Sequence, residues 1–124
     1  MLEKRKYTRL NQNLSISYQI LDNPKENSSY SKDISECGIC FPSIQKISLD
    51  TFLQIKVNLQ ETPAPLIFTG KVKRIIERNS SNFPFEIGIR FIKADVSSLK
   101  TLKLHIQQAS TKKKNENIKW IKNI

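Results

Sequence analysis

The chain has 124 residues, 21 Lys plus Arg against 11 Asp plus Glu, a formal net charge of +10 and 38% hydrophobic residues. That length holds one small domain, and the basic excess favours an anionic partner: a nucleotide, a nucleic acid, an acidic protein or lipid head groups. No apolar stretch approaches a membrane-spanning length and no apolar run follows the charged start Met1-Leu2-Glu3-Lys4-Arg5-Lys6, so the expected address is the cytoplasm.

Residues 1–12 read as an N-terminal arm. It carries Arg5-Lys6-Tyr7-Thr8-Arg9, an R-x-x-x-R pattern. Leu14, Ile16, Tyr18 and Ile20 then alternate with polar residues, the period of a half-buried strand. Turn formers from Asp22 to Asn27 break it. Tyr30 to Ser35 reads as a second strand and Gly38 as a sharp turn. Gly38-Ile39-Cys40-Phe41-Pro42 reads as a short third strand. Leu53, Ile55, Val57 and Leu59 alternate as a fourth, ended by Pro63 and Pro65, because proline cannot continue a central ladder. Leu66 to Arg78 is a long β-rich run in which Gly70 suggests a bulge or bend. After the turn Asn79-Ser80-Ser81-Asn82, residues Phe85, Ile87, Ile89 and Phe91 form the clearest alternation in the chain.

The period then changes. Val96, Leu99, Leu102 and Ile106 fall on one helical face, with Asp95 placed as N-cap. The order is six strands and a helix within 13–109, an all-β barrel with a C-terminal α-helix over one end. Residues 110–124 are a basic, polar tail. Its Ile118, Trp120 and Ile121 offer a small apolar face, although a solvated tail or a continued helix explains them as well.

Two motifs carry chemistry. Arginine forks such as Arg5 and Arg9 bond phosphate, or the O6 and N7 edge of guanine, in bidentate fashion. Their planes also stack on bases. Asp33-Ile34-Ser35-Glu36-Cys37-Gly38 reads D-x-S-x-x-G. A carboxylate at Asp33 can accept from guanine N1–H and N2–H, a donor pair that adenine lacks. Ser35 shares its strand face and Ile34 points to the core. Gly38 permits positive φ and close backbone approach.

Arginine motif, D-x-S-x-x-G strand and the β pattern behind them, in this order, resemble the PilZ domain, a bacterial cyclic di-GMP receptor. The resemblance runs from about Glu3 to about Gln108. It implies a six-stranded antiparallel barrel with a terminal helix, and a ligand site made of Arg5, Arg9, Asp33, Ser35 and Gly38. Arg74 or its neighbour Lys73 falls where the family carries a base-stacking side chain. Lys4 and Lys6 beside the arginines would add charge for phosphate. Gly88 and Arg90, facing outward from the last strand with Glu86, would border the ligand. The resemblance further implies no cofactor beyond the ligand, a downstream protein partner, and an output such as motility or biofilm regulation.

Other signals are set aside. Cys37-Gly38-Ile39-Cys40 is a C-x-x-C, but a zinc site needs a second pair and the chain has one histidine, His105. Cys40 reads as buried and Cys37 as a turn residue. His105 reads as a surface histidine without a carboxylate partner. No Walker loop, nucleophile elbow or metalloprotease helix appears, so the expectation is a binding module rather than an enzyme. Two alternatives stay open: a PilZ-fold adaptor that binds protein and no nucleotide, and a basic nucleic-acid-binding barrel with steep salt dependence.

Overall fold

The computed structural model describes residues 8–79 and 82–122, with side chains described as far as Ser110. The described residues form seven strands and one helix: β1 (Ser15–Ile20), β2 (Asn27–Tyr30), β3 (Asp33–Ser35), β4 (Gly38–Ser43), β5 (Phe52–Val57), β6 (Leu66–Glu77), β7 (Phe85–Ala94) and α1 (Val96–Lys122). All strands belong to one antiparallel sheet in the order β2-β1-β5-β6-β7-β4-β3.

The sequence suggests six strands, and the seventh comes from one correction. The run from Tyr30 to Ser35 is two strands, not one. β2 ends at Tyr30 and pairs with β1, whereas β3 starts at Asp33 and pairs with β4. Those strands are the two edges of the sheet, yet only Ser31 and Lys32 separate them. The sheet must therefore curl into a half-barrel whose edges meet there. The Ser31 N–H donates to Leu14 C=O at 2.9 Å on one side and the Lys32 N–H to Cys40 C=O at 2.7 Å on the other. Hydrogen bonding forces the split, because one residue must satisfy each edge.

Alternation along the strands sends one set of side chains into a common interior. Ile16, Ile34, Phe41, Leu53, Ile55, Val57, Phe68, Val72 and Ile87 are almost fully buried there. Leu102 and Ile106 close the interior from α1, as the helical spacing predicts. Val96 does not join them. It is 77% exposed, whereas Ser98 is the buried residue of the first turn and Leu102 and Ile106 reach the core. α1 itself continues to Lys122, across the change of composition at residue 110. Ile118, Trp120 and Ile121 are in this stretch, where side chains lie outside the described residues. Among the described residues no helix is long and apolar enough to cross a membrane.

Asp95 caps α1. The Ser98 N–H donates to Asp95 Oδ1 at 2.7 Å, and the Ser98 hydroxyl accepts from the Ile67 N–H at 3.0 Å, fastening the helix start to β6. The bonds from Ser98 hold the Asp95 carboxyl below its ordinary value. A carboxyl depressed in the folded state contributes stability that is complete above the usual aspartate range and fades as pH falls through the depressed value. Asp95→Ala is therefore expected to lower Tm by a few degrees at neutral pH and to narrow the gap to wild type as the medium becomes strongly acidic. Thermal melts by circular dichroism across an acid series measure this, and a gap that does not change with pH would argue against the cap.

Candidate functional site

The hairpin β3–β4 sets the site. Asp33 and Ser35 stand on the same side of β3, and Ile34 between them is wholly buried. The sheet register carries that outward side across four strands. In one row Asp33 pairs with Cys40, Cys40 with Gly88 and Gly88 with Arg74; in the next row Ser35 pairs with Gly38, Gly38 with Arg90 and Arg90 with Lys71. A cleft of about 410 Å³ lies over these rows, lined by Arg9, Asp33, Ser35, Gly38, Lys73, Arg74, Gly88 and Arg90 among others.

Arg74 reaches this face through a bulge. Val72 pairs with Ile89 and Arg74 with Gly88, so Lys73 is an extra residue in β6. Were Lys73 paired in regular alternation, Arg74 would share the inward side of Val72; the bulge turns Arg74 outward and Ile75 inward opposite Ile87. Lys73 and Arg74 both line the cleft.

Gly38 works through space rather than through backbone freedom. No described glycine has positive φ. A Cβ at Gly38 would instead collide with the carbonyl oxygen of Ile89 on β7. The turn before it is held by the Cys37 N–H donating to Ser35 Oγ at 3.1 Å, and the Phe91 N–H donates to Cys37 C=O at 2.8 Å. Gly88 lets the Arg74 side chain lie across β7, since a Cβ there would stand 3.2 Å from Arg74 Cβ and 3.4 Å from its Nε.

The arm enters along the edge of β3. Leu10 and Ile34 exchange both backbone hydrogen bonds, at 2.8 and 3.0 Å. This puts Arg9 beside Asp33, with Nη1 3.9 Å from Oδ1. A pair that long and partly exposed contributes little and is readily exchanged for another partner. Arg5, Lys4 and Lys6 lie outside the described residues.

Two cysteines join the site that sequence reading placed elsewhere. Cys37 is exposed and Cys40 buried, as expected, yet both line the cleft. Cys40 is on the cleft floor and not in the core, since Ile39 and Phe41 on either side point inward. Burial, helped by the Glu86 and Asp33 charges, pushes its thiol up to about 11, so it stays neutral. Strand parity puts Cys40 on the face of Gly38, but its place in the row of Asp33 and Gly88 comes only from the pairing of β3, β4 and β7.

Electrostatics separates this cleft from a second one. Among the described residues its lining carries four cations, Arg9, Lys73, Arg74 and Arg90, against one carboxylate, that of Asp33. The other cleft, about 570 Å³, is lined by Tyr30, Pro42, Phe83, Phe85, Lys32, Arg78 and Glu86 among others. There both cations are engaged: Lys32 Nζ lies 2.6 Å and Arg78 Nη2 2.8 Å from the two oxygens of Glu86. Burial pushes the Glu86 carboxyl up, but the hydrogen bonds and charges of Lys32 and Arg78 outweigh it and the net shift is downward. Glu86 thus faces outward with Gly88 and Arg90, but beneath an ion pair and away from the basic cleft. Among the described residues no cluster of His, Cys, Asp and Glu could hold a metal ion.

His105 also departs from the sequence reading. It has a carboxylate partner, Glu61, hydrogen-bonded to Nδ1, and a second partner in Gln12. Neither is near it in the chain, which hid the contact.

A model of the PilZ domain family matches residues 3–108. Among curated proteins none matches the sequence. Solved structures with a similar fold include the Bacillus subtilis inhibitor of motility MotI/DgrA, at 17% identity and TM-score 0.76 over 90% of this chain and 54% of that one. The PilZ domain of Escherichia coli YcgR with c-di-GMP matches at 17% identity and TM-score 0.69, over 94% of this chain and 99% of that domain. The K. pneumonia MrkH–c-di-GMP complex matches at 16% identity and TM-score 0.73, over 93% of this chain and 56% of that one. The chain thus spans about half the length of MotI and MrkH.

Proposed function

Because the chain belongs to the PilZ domain family, we propose that it is a receptor for cyclic di-GMP, which binds between the N-terminal arm and the outward rows of β3, β4, β7 and β6. The observation that carries this reading is the meeting of Asp33 and Ser35 with Arg9, Lys73, Arg74 and Arg90 around one cleft. Each group has a task there. Asp33 accepts from the guanine N1–H and N2–H, and Ser35 adds a hydroxyl beside it. Arg5 and Arg9 bind phosphate or the guanine O6 and N7 edge. Arg74 stacks its plane on a base, while Lys73, Arg90 and the arm residues Lys4 and Lys6 balance phosphate charge. Gly38 lets β4 lie close against β7 and Gly88 leaves room for the Arg74 side chain beside the ligand.

The role is that of a binding module. Closing the arm on the nucleotide would remodel the surface beside β3 and so control a downstream protein partner, in the manner of a terminal segment ordered by ligand. The same reading places the chain in the cytoplasm. Motility is one candidate output, since the similar MotI is described as an inhibitor of motility.

Titration calorimetry with cyclic di-GMP is the test. Saturable binding is expected, weaker as salt rises because the cleft is cationic. Cyclic di-AMP should bind at least about 100-fold more weakly, because a site built to pair with guanine N–H groups leaves Asp33 unpaired against adenine. Absence of heat and of spectral change at millimolar nucleotide would refute the receptor reading and leave the protein-binding adaptor.

A further inference from the structure

The base of the arm is tied to helix α1 by three side chains from distant parts of the sequence. His105 Nε2 lies 2.7 Å from Gln12 Oε1, and His105 Nδ1 meets Glu61 Oε2. Gln12 precedes β1, Glu61 sits in the turn after β5, and His105 is on α1. The ring is only 11% exposed, with both nitrogens engaged.

Gln12 in turn fixes the arm. Its backbone N–H donates to Leu10 C=O at 3.0 Å, and its C=O accepts from Ser31 Oγ at 2.5 Å and from the Leu14 N–H at 3.2 Å. Leu10 is the residue paired with Ile34 at the edge of β3. Arg9 adjoins Leu10, and Asp33 and Ser35 adjoin Ile34. The placement of Arg9 over the cleft thus depends on Leu10, that of Leu10 on Gln12, and that of Gln12 on His105.

We infer that His105 is the positioning residue of the arm, holding the segment that carries Arg9 at the cleft and passing the state of that segment to α1. The functional meaning of this tether rests on the nucleotide reading above; the tether itself does not.

Its chemistry follows from the partners. The Glu61 carboxylate only accepts, so Nδ1 carries a proton, and the hydrogen bond from His105 lowers the Glu61 pKa below its ordinary value. Nε2 then donates when the ring is charged and accepts when it is neutral. The Gln12 amide serves either case by presenting its oxygen or its NH₂. The tether therefore survives proton loss from the ring. The residues one helical turn away, Thr101, Leu102, Gln108 and Ala109, bear no charge, and Glu61 is the ionised group facing the ring among the described residues. Glutamate at position 12 would accept only and would hold only the charged ring.

The test combines amide hydrogen exchange without nucleotide and calorimetry with cyclic di-GMP, on the full chain. Gln12→Leu and His105→Phe should each speed exchange at the Leu10 and Ile34 amides at least about tenfold, with Ile55 and Phe68 unchanged, and weaken nucleotide about fivefold or more. Gln12→Glu keeps an acceptor for the charged ring, so it should lie closer to wild type than Gln12→Leu in both readouts. Unaltered exchange at Leu10 and Ile34 in both tether variants would overturn the inference whatever the nucleotide does, as would Gln12→Glu protein no closer to wild type than Gln12→Leu. Accelerated exchange in a protein whose wild type ignores nucleotide would support the tether and sink the receptor reading alone.

Discussion

Asp33→Ala is expected to weaken cyclic di-GMP binding by at least about a hundredfold while leaving the melting temperature almost unchanged. Two hydrogen bonds from a guanine to a carboxylate are each worth about 1.5–3 kcal/mol, and their joint loss of roughly 3 kcal/mol corresponds to more than two decades in Kd. Folding should not register the change. The Asp33 side chain is partly exposed, and its ion pair is the 3.9 Å contact with Arg9, a type of pair that adds little. Asp33→Asn should fall between the two, since an amide oxygen can accept but carries no charge. Calorimetry and a thermal melt on the same samples separate binding from stability. Full affinity in Asp33→Ala would remove the base-reading role from this residue.

Gly38→Ala should act the other way, through the fold first. The added methyl would collide with the Ile89 carbonyl oxygen and stand 3.2 Å from the Ile89 carbonyl carbon and 3.4 Å from Arg90 Cα, all of them backbone atoms. No rotamer change relieves that contact, so β4 must draw away from β7 at the Gly38–Arg90 pair. A strain of this kind costs about 3 kcal/mol, and for a domain near this size Tm would fall by roughly 12–20 °C. Nucleotide affinity should drop with it, because the same pair forms the second row of the cleft. Gly88→Ala is the contrasting variant: its added methyl would stand 3.2 Å from Arg74 Cβ and 3.4 Å from the movable Nε, a crowding but no collision. It should lose much less stability than Gly38→Ala and lose affinity through a displaced Arg74. A Gly38→Ala protein with wild-type stability would show that β4 and β7 are farther apart than their register implies.

Much of this was legible in the sequence, for local reasons. Period-two alternation located β1, β5 and β7 and a β-rich run located β6, and Asp33 and Ser35 were assigned one face because β3 is regular. What was missed depends on contacts between distant residues. The split at Ser31–Lys32 has no glycine or proline to announce it and follows only from the two edges each claiming a backbone bond. The lining role of Cys40 needed the register of three strands. The His105 contacts join residues 44 and 93 positions away, beyond any local pattern. Gly38 was assigned to the site for close approach and for positive φ; the first holds and the second does not.

The extra residue at Lys73 gives β6 two sides in sequence. Before it the even-numbered positions Phe68 and Val72 face inward, and after it the odd-numbered Ile75 does. The bulge is what absorbs the odd residue. A strand without Lys73 would keep Val72 inward, Arg74 outward and Ile75 inward by plain alternation, whereas one that kept Lys73 but paired regularly would drive the Arg74 guanidinium into the interior and leave Ile75 in water. The parity of this stretch, rather than its length, is what the fold holds.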